Sequence, residues 1–317
     1  MKTGKISQSI YDRSVCKVLT IEQSRILKGA EQNCAFFADC FALGQMAFVS
    51  EDVAVYAFYD AYNQMVASGG TPRAAMVSLT LTTRQSEAFL KRVIRAISAV
   101  LEKTGVQMTS CQVEVVDAVM PPMASVSMIG SDKHTRKQIE PGLDIVMTKT
   151  LANGATAMMA QLKKEELSAR FPYYFVQKAL EKRELLSVQN ELTLTEEDYL
   201  AIPISKGGVF GALWQLGEAG NVGMEIHLRH FPISQETIEF CELYELNPYE
   251  LYGLGGLLMV SKDGNALVER LEQAGIRAAY LGTTSACHDR VIVTAEEKRF
   301  LEPVKPDELL KLIYRGE

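Results

Sequence analysis

The chain has 317 residues, 47% of them hydrophobic and 23% charged, a composition that sustains packed cores and excludes a disordered or low-complexity protein. At that length two domains are expected rather than one. A formal net charge of −6 leaves no broad basic face to displace counterions from a phosphate backbone, so no nucleic-acid partner is expected.

Taken in chain order, Met1-Lys2-Thr3-Gly4-Lys5 opens without an apolar signal core, and no apolar run reaches the length of a membrane span. The six cysteines, Cys16, Cys34, Cys40, Cys111, Cys241 and Cys287, are scattered and form no C-x-x-C pair. Reduced thiols in a cytoplasmic protein are therefore expected, with neither zinc nor a membrane as partner. Tyr56 to Ala67 reads as a helix, broken by Ser68-Gly69-Gly70-Thr71-Pro72, and Ala75 to Leu81 follows as a buried strand. Ser86 caps a helix whose apolar stripe is Phe89, Leu90, Val93, Ile94, Ile97 and Leu101, with Gly105 as its stop. Gln112 to Ala118 and Ala124 to Ile129 read as two more strands.

Pro141-Gly142 marks the domain boundary, giving an N-terminal domain over 1–141 and a C-terminal domain over 142–317. Asp144 to Thr148 reads as a strand, and a helical, polar region extends to about Glu197. A helix over Gly208 to Ala219, a strand over Gly223 to Leu228 and a helix after Ser234 follow. Leu257 to Val260, Asn265 to Ala274 and Arg277 to Leu281 read as strand, helix, strand, with Gly275 at the helix stop. Arg290 to Thr294 and Arg299 to Leu301 form the arms of a hairpin. Both halves are thus α+β.

Few residues carry chemistry by themselves. Gly207-Gly208 opens a helix, where free N–H groups and the dipole's positive end receive phosphate, although the lysine and spacing of a Walker loop are absent. His227 and His230 lie three apart in the strand assigned to them, which sends them to opposite faces. Cys287-His288 has no third partner for nucleophilic catalysis. Asp52 with Glu114 is the best acid pair for a cation.

Longer stretches carry a resemblance. Gly207-Gly208-Val209-Phe210-Gly211-Ala212-Leu213-Trp214, Val222-Gly223-Met224-Glu225-Ile226, Asn247-Pro248-Tyr249-Glu250-Leu251 and Gly255-Gly256-Leu257-Leu258 succeed one another in order. Ala67 to Pro72, Asp144 to Lys149 and Glu297 to Pro303 add to them. The chain resembles the superfamily of aminoimidazole ribonucleotide (AIR) synthetase and the hydrogenase maturation protein HypE, and within it the AIR synthase-related proteins, over nearly its whole length. The resemblance implies a two-domain α+β architecture, each domain a mixed sheet packed with helices. It also implies ATP and magnesium held between the domains by acidic motifs, near a dimer interface.

At those motifs this chain departs from its relatives. Their acidic pair before Cys-Ala reads Gln32-Asn33, and their Asn-Asp reads Asn63-Gln64. Ser-Thr-Asp-Pro reads Ser50-Glu51-Asp52-Val53, and the Gly-Gly-His-Thr-Glu loop reads Ser110-Cys111-Gln112-Val113-Glu114. His-Asp-Ala-Thr-Glu ahead of the paired glycines reads Ile202-Pro203-Ile204-Ser205-Lys206. Amides offer a carbonyl oxygen to a cation but not its balancing charge. Asn33, Asp52, Asn63, Gln64, Gln112, Glu114, Lys149, Lys206, Gly207 and Gly208 are accordingly expected to be vestigial nucleotide-site positions. No catalytic residue is assigned, and Asp52 at most would touch a metal. The expected role is a non-catalytic subunit or binding protein without cofactor, a homodimer or the heterodimer partner of a paralogue. The alternative is an ATP- and magnesium-dependent enzyme of the same superfamily, a small-metabolite kinase or a catalyst of carbamoyl or amide chemistry. The chain ends without the C-terminal cysteine through which HypE relatives act.

Overall fold

The computed structural model describes residues 4–19, 40–118, 120–131, 135–195, 197–295, 297–303 and 305–314. Its backbone separates into two compact units, residues 1–134 and 135–317. The division falls ahead of Pro141 because Lys137 donates its N–H to Asp198 and accepts from Leu200, which ties it to the second unit.

The first unit contains β1 (Gly4–Lys5), α1 (Gln8–Tyr11), β2 (Cys40–Ala47), α2 (Val53–Ala67), β3 (Thr71–Thr82), α3 (Glu87–Thr104), β4 (Gln107–Val116) and β5 (Met123–Ser131). Its five strands run in the order β1-β4-β3-β5-β2. β3 and β4 are parallel neighbours, a pairing that needs a crossover, and α3 supplies it. Ser86 caps α3 by accepting from the Phe89 N–H at 3.2 Å, and Gly105 stops it at φ 70°. The stripe Leu90, Val93, Ile94, Ile97 and Leu101 is buried as its spacing requires.

Three strands run further than the sequence indicates, since Thr71–Thr82, Gln107–Val116 and Met123–Ser131 pair over nearly their full lengths. β2 carries no readable alternation. Its inward side holds Gly44, and its outward side holds Phe41 and Leu43, 73% and 52% exposed. Gly44 is where α2 seats: an added Cβ would lie 1.9 Å from the Ala57 carbonyl oxygen. α2 itself is buried on nearly every side, Asp60 and Asn63 included.

The second unit contains β6 (Asp144–Thr148), α4 (Asn153–Leu162), α5 (Lys164–Arg170), α6 (Tyr173–Glu181), α7 (Gln189–Thr193), β7 (Ile202–Pro203), α8 (Gly208–Gly220), β8 (Gly223–His227) and α9 (Gln235–Tyr244). After these come β9 (Leu257–Ser261), α10 (Gly264–Gln273), β10 (Ala278–Ser285), β11 (Arg290–Val293), β12 (Lys298–Phe300) and α11 (Leu309–Tyr314). The seven-stranded sheet is ordered β12-β11-β8-β10-β6-β9-β7, mixed because β11 runs parallel to β8 while the other pairs are antiparallel. Val209, Leu213 and Leu216 of α8 join Ile145, Met147, Ile226, Leu258 and Leu281 of the strands in one core. α10 lies against β6, β9 and β10, and α4 against α6 and α9. β10 continues past Leu281 through a bulge at Gly282, where a Cβ would meet the Glu225 carbonyl oxygen at 1.9 Å. Both units are therefore mixed sheets packed with helices.

Candidate functional site

The positions singled out from sequence divide between the units. Asn33 lies outside the described residues. In the first unit Asp52 is the buried residue preceding α2, its N–H bonded to Ser50 Oγ at 3.1 Å. Asn63 is buried within α2, and Gln64, exposed beside it, donates to the Leu43 carbonyl at 3.4 Å. Gln112 and Glu114 alternate with the buried Cys111, Val113 and Val115 along β4, so both project from the sheet face away from α2 and α3. The acid pair Asp52 and Glu114 is thus not assembled: one carboxylate belongs to the helix layer and the other to the opposite face.

In the second unit Lys149 follows β6 at φ 61°, a left-handed conformation that costs a branched-free side chain on the order of 1 kcal/mol. Its ammonium donates to the carbonyls of Leu185 at 2.9 Å, Ser187 at 2.6 Å and Gly255 at 2.8 Å. Those three bonds use all its protons. Glu191 Oε1, 2.6 Å away and itself buried, is held by charge. Burial pulls the Lys149 ammonium below its ordinary range, and Glu191 opposes that pull. The lysine clasps the segment from Leu185 to Glu191 onto the sheet.

Lys206 is exposed. Gly207 and Gly208 have φ of 80° and 64°. Gly208 needs its missing side chain for packing, since a Cβ would lie 2.4 Å from the Tyr249 carbonyl oxygen. The same loop stacks Tyr249 on Phe210, centroids 5.0 Å apart at 11°, and accepts the Phe210 N–H at 3.1 Å. The Gly208 N–H bonds to Ser205, and the Gly207 N–H donates at 2.8 Å to the carboxylate of Asp307. That carboxylate also accepts from Tyr252 N–H at 3.2 Å and Leu309 N–H at 2.9 Å. Sequence reasoning missed Asp307, although an aspartate two residues before the apolar pair Leu309-Leu310 is a helix-start signal. A cleft of 180 Å³ adjoins this helix start, lined by Gly207, Phe210, Asn247, Arg299 and Lys305 among others.

His227 and His230 do come together, against the strand-based expectation. β8 ends at His227 and a 3-10 turn spans Leu228–His230, so their ring centroids lie 5.0 Å apart, with Tyr280 6.0 Å from His230. Among the described residues no three His, Cys, Asp or Glu side chains converge as a metal cluster, and no helix is long and apolar enough to cross a membrane.

Residues 16–131 match the N-terminal domain of AIR synthase related protein, and residues 140–294 match its C-terminal domain. The chain belongs to this family. It is 19% identical over 314 residues to a hydrogenase expression/formation protein of Methanocaldococcus jannaschii, covering 92% of this chain and 91% of that one. Among solved structures it is similar to Escherichia coli HypE, with a TM-score of 0.72 at 15% identity over 96% of this chain and 99% of the other. A HypE crystal structure in complex with ATP gives the same TM-score, at 15% identity over 96% and 97% of the two chains. At such identity the structural likeness establishes the two-domain fold of the superfamily, as the order of motifs implies.

Proposed function

We propose that this chain is a HypE-like member of the AIR synthase-related family whose magnesium–ATP site is degenerate, serving as a non-catalytic subunit or binding protein. The observation that carries the reading is the internal commitment of groups at the site positions. The Lys149 ammonium spends its three protons on carbonyls, and the Gly207 N–H is held by Asp307. Neither remains to receive a phosphate oxygen. Gln64 stands where relatives carry an acid and Gln112 where they carry histidine, while Asn63 keeps their amide, and amides cannot balance the charge of magnesium with triphosphate. The described residues therefore do not fit magnesium with triphosphate.

A dimer is part of the proposal. The sheet face of the first unit opposite its helices is open, with Phe41, Leu43 and Met76 exposed. Leu43 and Met76 both pair with Ser127 across one row, and Gln45 and Ser78 with Ser125 across the next. An apolar and small-residue face of this kind suits a second copy or a paralogue. Sedimentation should give a dimer, and Leu43→Asp should dissociate it. A monomeric native chain removes this part of the proposal.

The ATP-bound neighbour favours the alternative of an active ATP-dependent enzyme. A ligand of the folded state adds about 2.7 kcal/mol at 100 times its dissociation constant, so a thermal melt with magnesium–ATP separates the two. No shift is expected. A shift abolished by EDTA sinks the degenerate reading. Restoring acids by Asn33→Asp with Gln64→Asp should make such a shift appear.

A further inference from the structure

We infer that His227 and His230 are the preformed part of a surface site for a late first-row divalent cation such as zinc, with the Glu225 carboxylate as third donor. The site has no part in the reading above and stands whether or not magnesium–ATP binds. β8 ends at His227, and the 3-10 turn Leu228–His230 follows at once. Three residues make one turn of a 3-10 helix, so side chains at i and i+3 eclipse. That sets the two rings side by side, their centroids 5.0 Å apart and their planes tilted by 36°. An ion about 2.0–2.1 Å from one nitrogen of each ring, near the tetrahedral angle, places two imidazole centroids roughly 5 Å apart. The observed spacing meets that requirement.

The third donor comes from the same strand. Met224 and Ile226 enter the core beneath α8, so alternation sends Glu225 and His227 to the other face of the sheet, both half-buried. The Glu225 carboxylate pairs with Lys298 of β12 at 2.7 Å. It feels the Lys298 ammonium first and the His227 ring as well. The two side chains of that pair are 62% and 44% exposed, and an ion pair so open to water contributes little. A divalent ion can therefore draw the carboxylate away from Lys298. Until it does, only the imidazoles are in place, which is why no three donors converge among the described residues. Tyr280 of β10 stands behind His230, ring centroids 6.0 Å apart. Nearby Asp144 is spent on the Gly264 N–H at 2.8 Å. Arg229, exposed between the histidines in sequence, is turned about 120° from His230 by the same 3-10 geometry. Two imidazoles, a carboxylate and a water make a nitrogen–oxygen set that zinc accepts, and imidazole selects zinc, copper or nickel over magnesium and calcium. The expectation against zinc came from cysteine spacing, which is silent about an imidazole pair.

The test titrates the full chain with zinc chloride by calorimetry, without nucleotide, each variant first checked for native melting. One ion per chain should bind, and magnesium in excess should not compete. His227→Gln and His230→Gln should each weaken binding by at least about tenfold, since even an outer-shell change costs a metal site about 10–100-fold. Glu225→Gln should weaken it as well. Lys298→Ala should tighten it several-fold by freeing Glu225, a gain that damage to the fold could not produce. Cys287→Ser with His288→Gln removes the other thiol–imidazole neighbour and should bind as the native chain does. In nuclear magnetic resonance spectra the ring protons of His227 and His230 should shift together up to one equivalent. No binding, binding that survives both histidine substitutions, or a shift confined to one ring would overturn the inference. Unchanged affinity in both Glu225→Gln and Lys298→Ala would remove the carboxylate and with it the three-donor site.

Discussion

Glu191→Gln removes the carboxylate that faces the buried Lys149 ammonium at 2.6 Å while leaving its three carbonyl partners in place. The side chains are 10% and 1% exposed, so water cannot replace the lost charge. Breaking a buried pair from one side costs about 3–5 kcal/mol, and the surviving carbonyls set the expectation at the lower end, ~3 kcal/mol. For a unit spanning residues 135–317, 1 kcal/mol moves the transition by roughly 2–4 °C, so a fall of about 6–12 °C follows. Trp214 is the sole tryptophan and lies in this unit, so urea unfolding followed by its fluorescence isolates the effect. The pH dependence adds a sign. The Lys149 ammonium is held below its unfolded range, so the folded chain releases that proton first. This contribution to stability therefore increases as pH climbs through the folded value toward 10.5, the ordinary lysine value. Glu191→Gln should steepen the alkaline rise. A change within about 0.5 kcal/mol, the range of an ordinary surface substitution, would refute the claim that Lys149 is a structural clasp.

Two further outcomes test the packing that positions the candidate site. Gly44→Ala places a methyl 1.9 Å from the Ala57 carbonyl oxygen, and forcing α2 off β2 should destabilise the first unit by about 1–3 kcal/mol; a denaturation midpoint equal to the native one by circular dichroism contradicts that account. The Arg290 guanidinium sits 4.3 Å from the Trp214 ring centroid and also pairs with Glu218 at 2.6 Å. Arg290→Ala should cost about 1–2 kcal/mol and shift the tryptophan emission, whereas an unshifted spectrum would mean that the stack is absent in solution.

The fold was legible where sequence periodicity and packing agree. α3 announces itself through a capping serine, one apolar stripe and a terminal glycine, and all three act as read. β6 carries the apolar run Ile145-Val146-Met147 between a turn and a helix, and its bounds, Asp144–Thr148, are those read from the sequence. β2 stayed hidden because its inward positions include glycine while its outward ones include Phe41 and Leu43, an inversion of the usual pattern that only the open sheet face explains. The histidine pair was misjudged because strand alternation stops at His227, one residue before the 3-10 turn that brings His230 back. Of the site, the substitutions at motif positions were readable. The bonds of Lys149 and Gly207 were not, since their partners Glu191 and Asp307 lie far along the chain with no local signal for the contact.

The order of strands in the second unit has a consequence for biosynthesis. β6 is its first strand to leave the ribosome, yet it occupies the interior of the sheet, and its neighbours β9 and β10 are translated far later. Asp307, which closes the start of α8, emerges later still. The first unit, whose strands are complete by Ser131, can fold while synthesis continues. The second must hold β6 unpaired until β9 (Leu257–Ser261) has been made, more than a hundred residues later, so chaperone contact and premature termination should weigh on it far more than on the first.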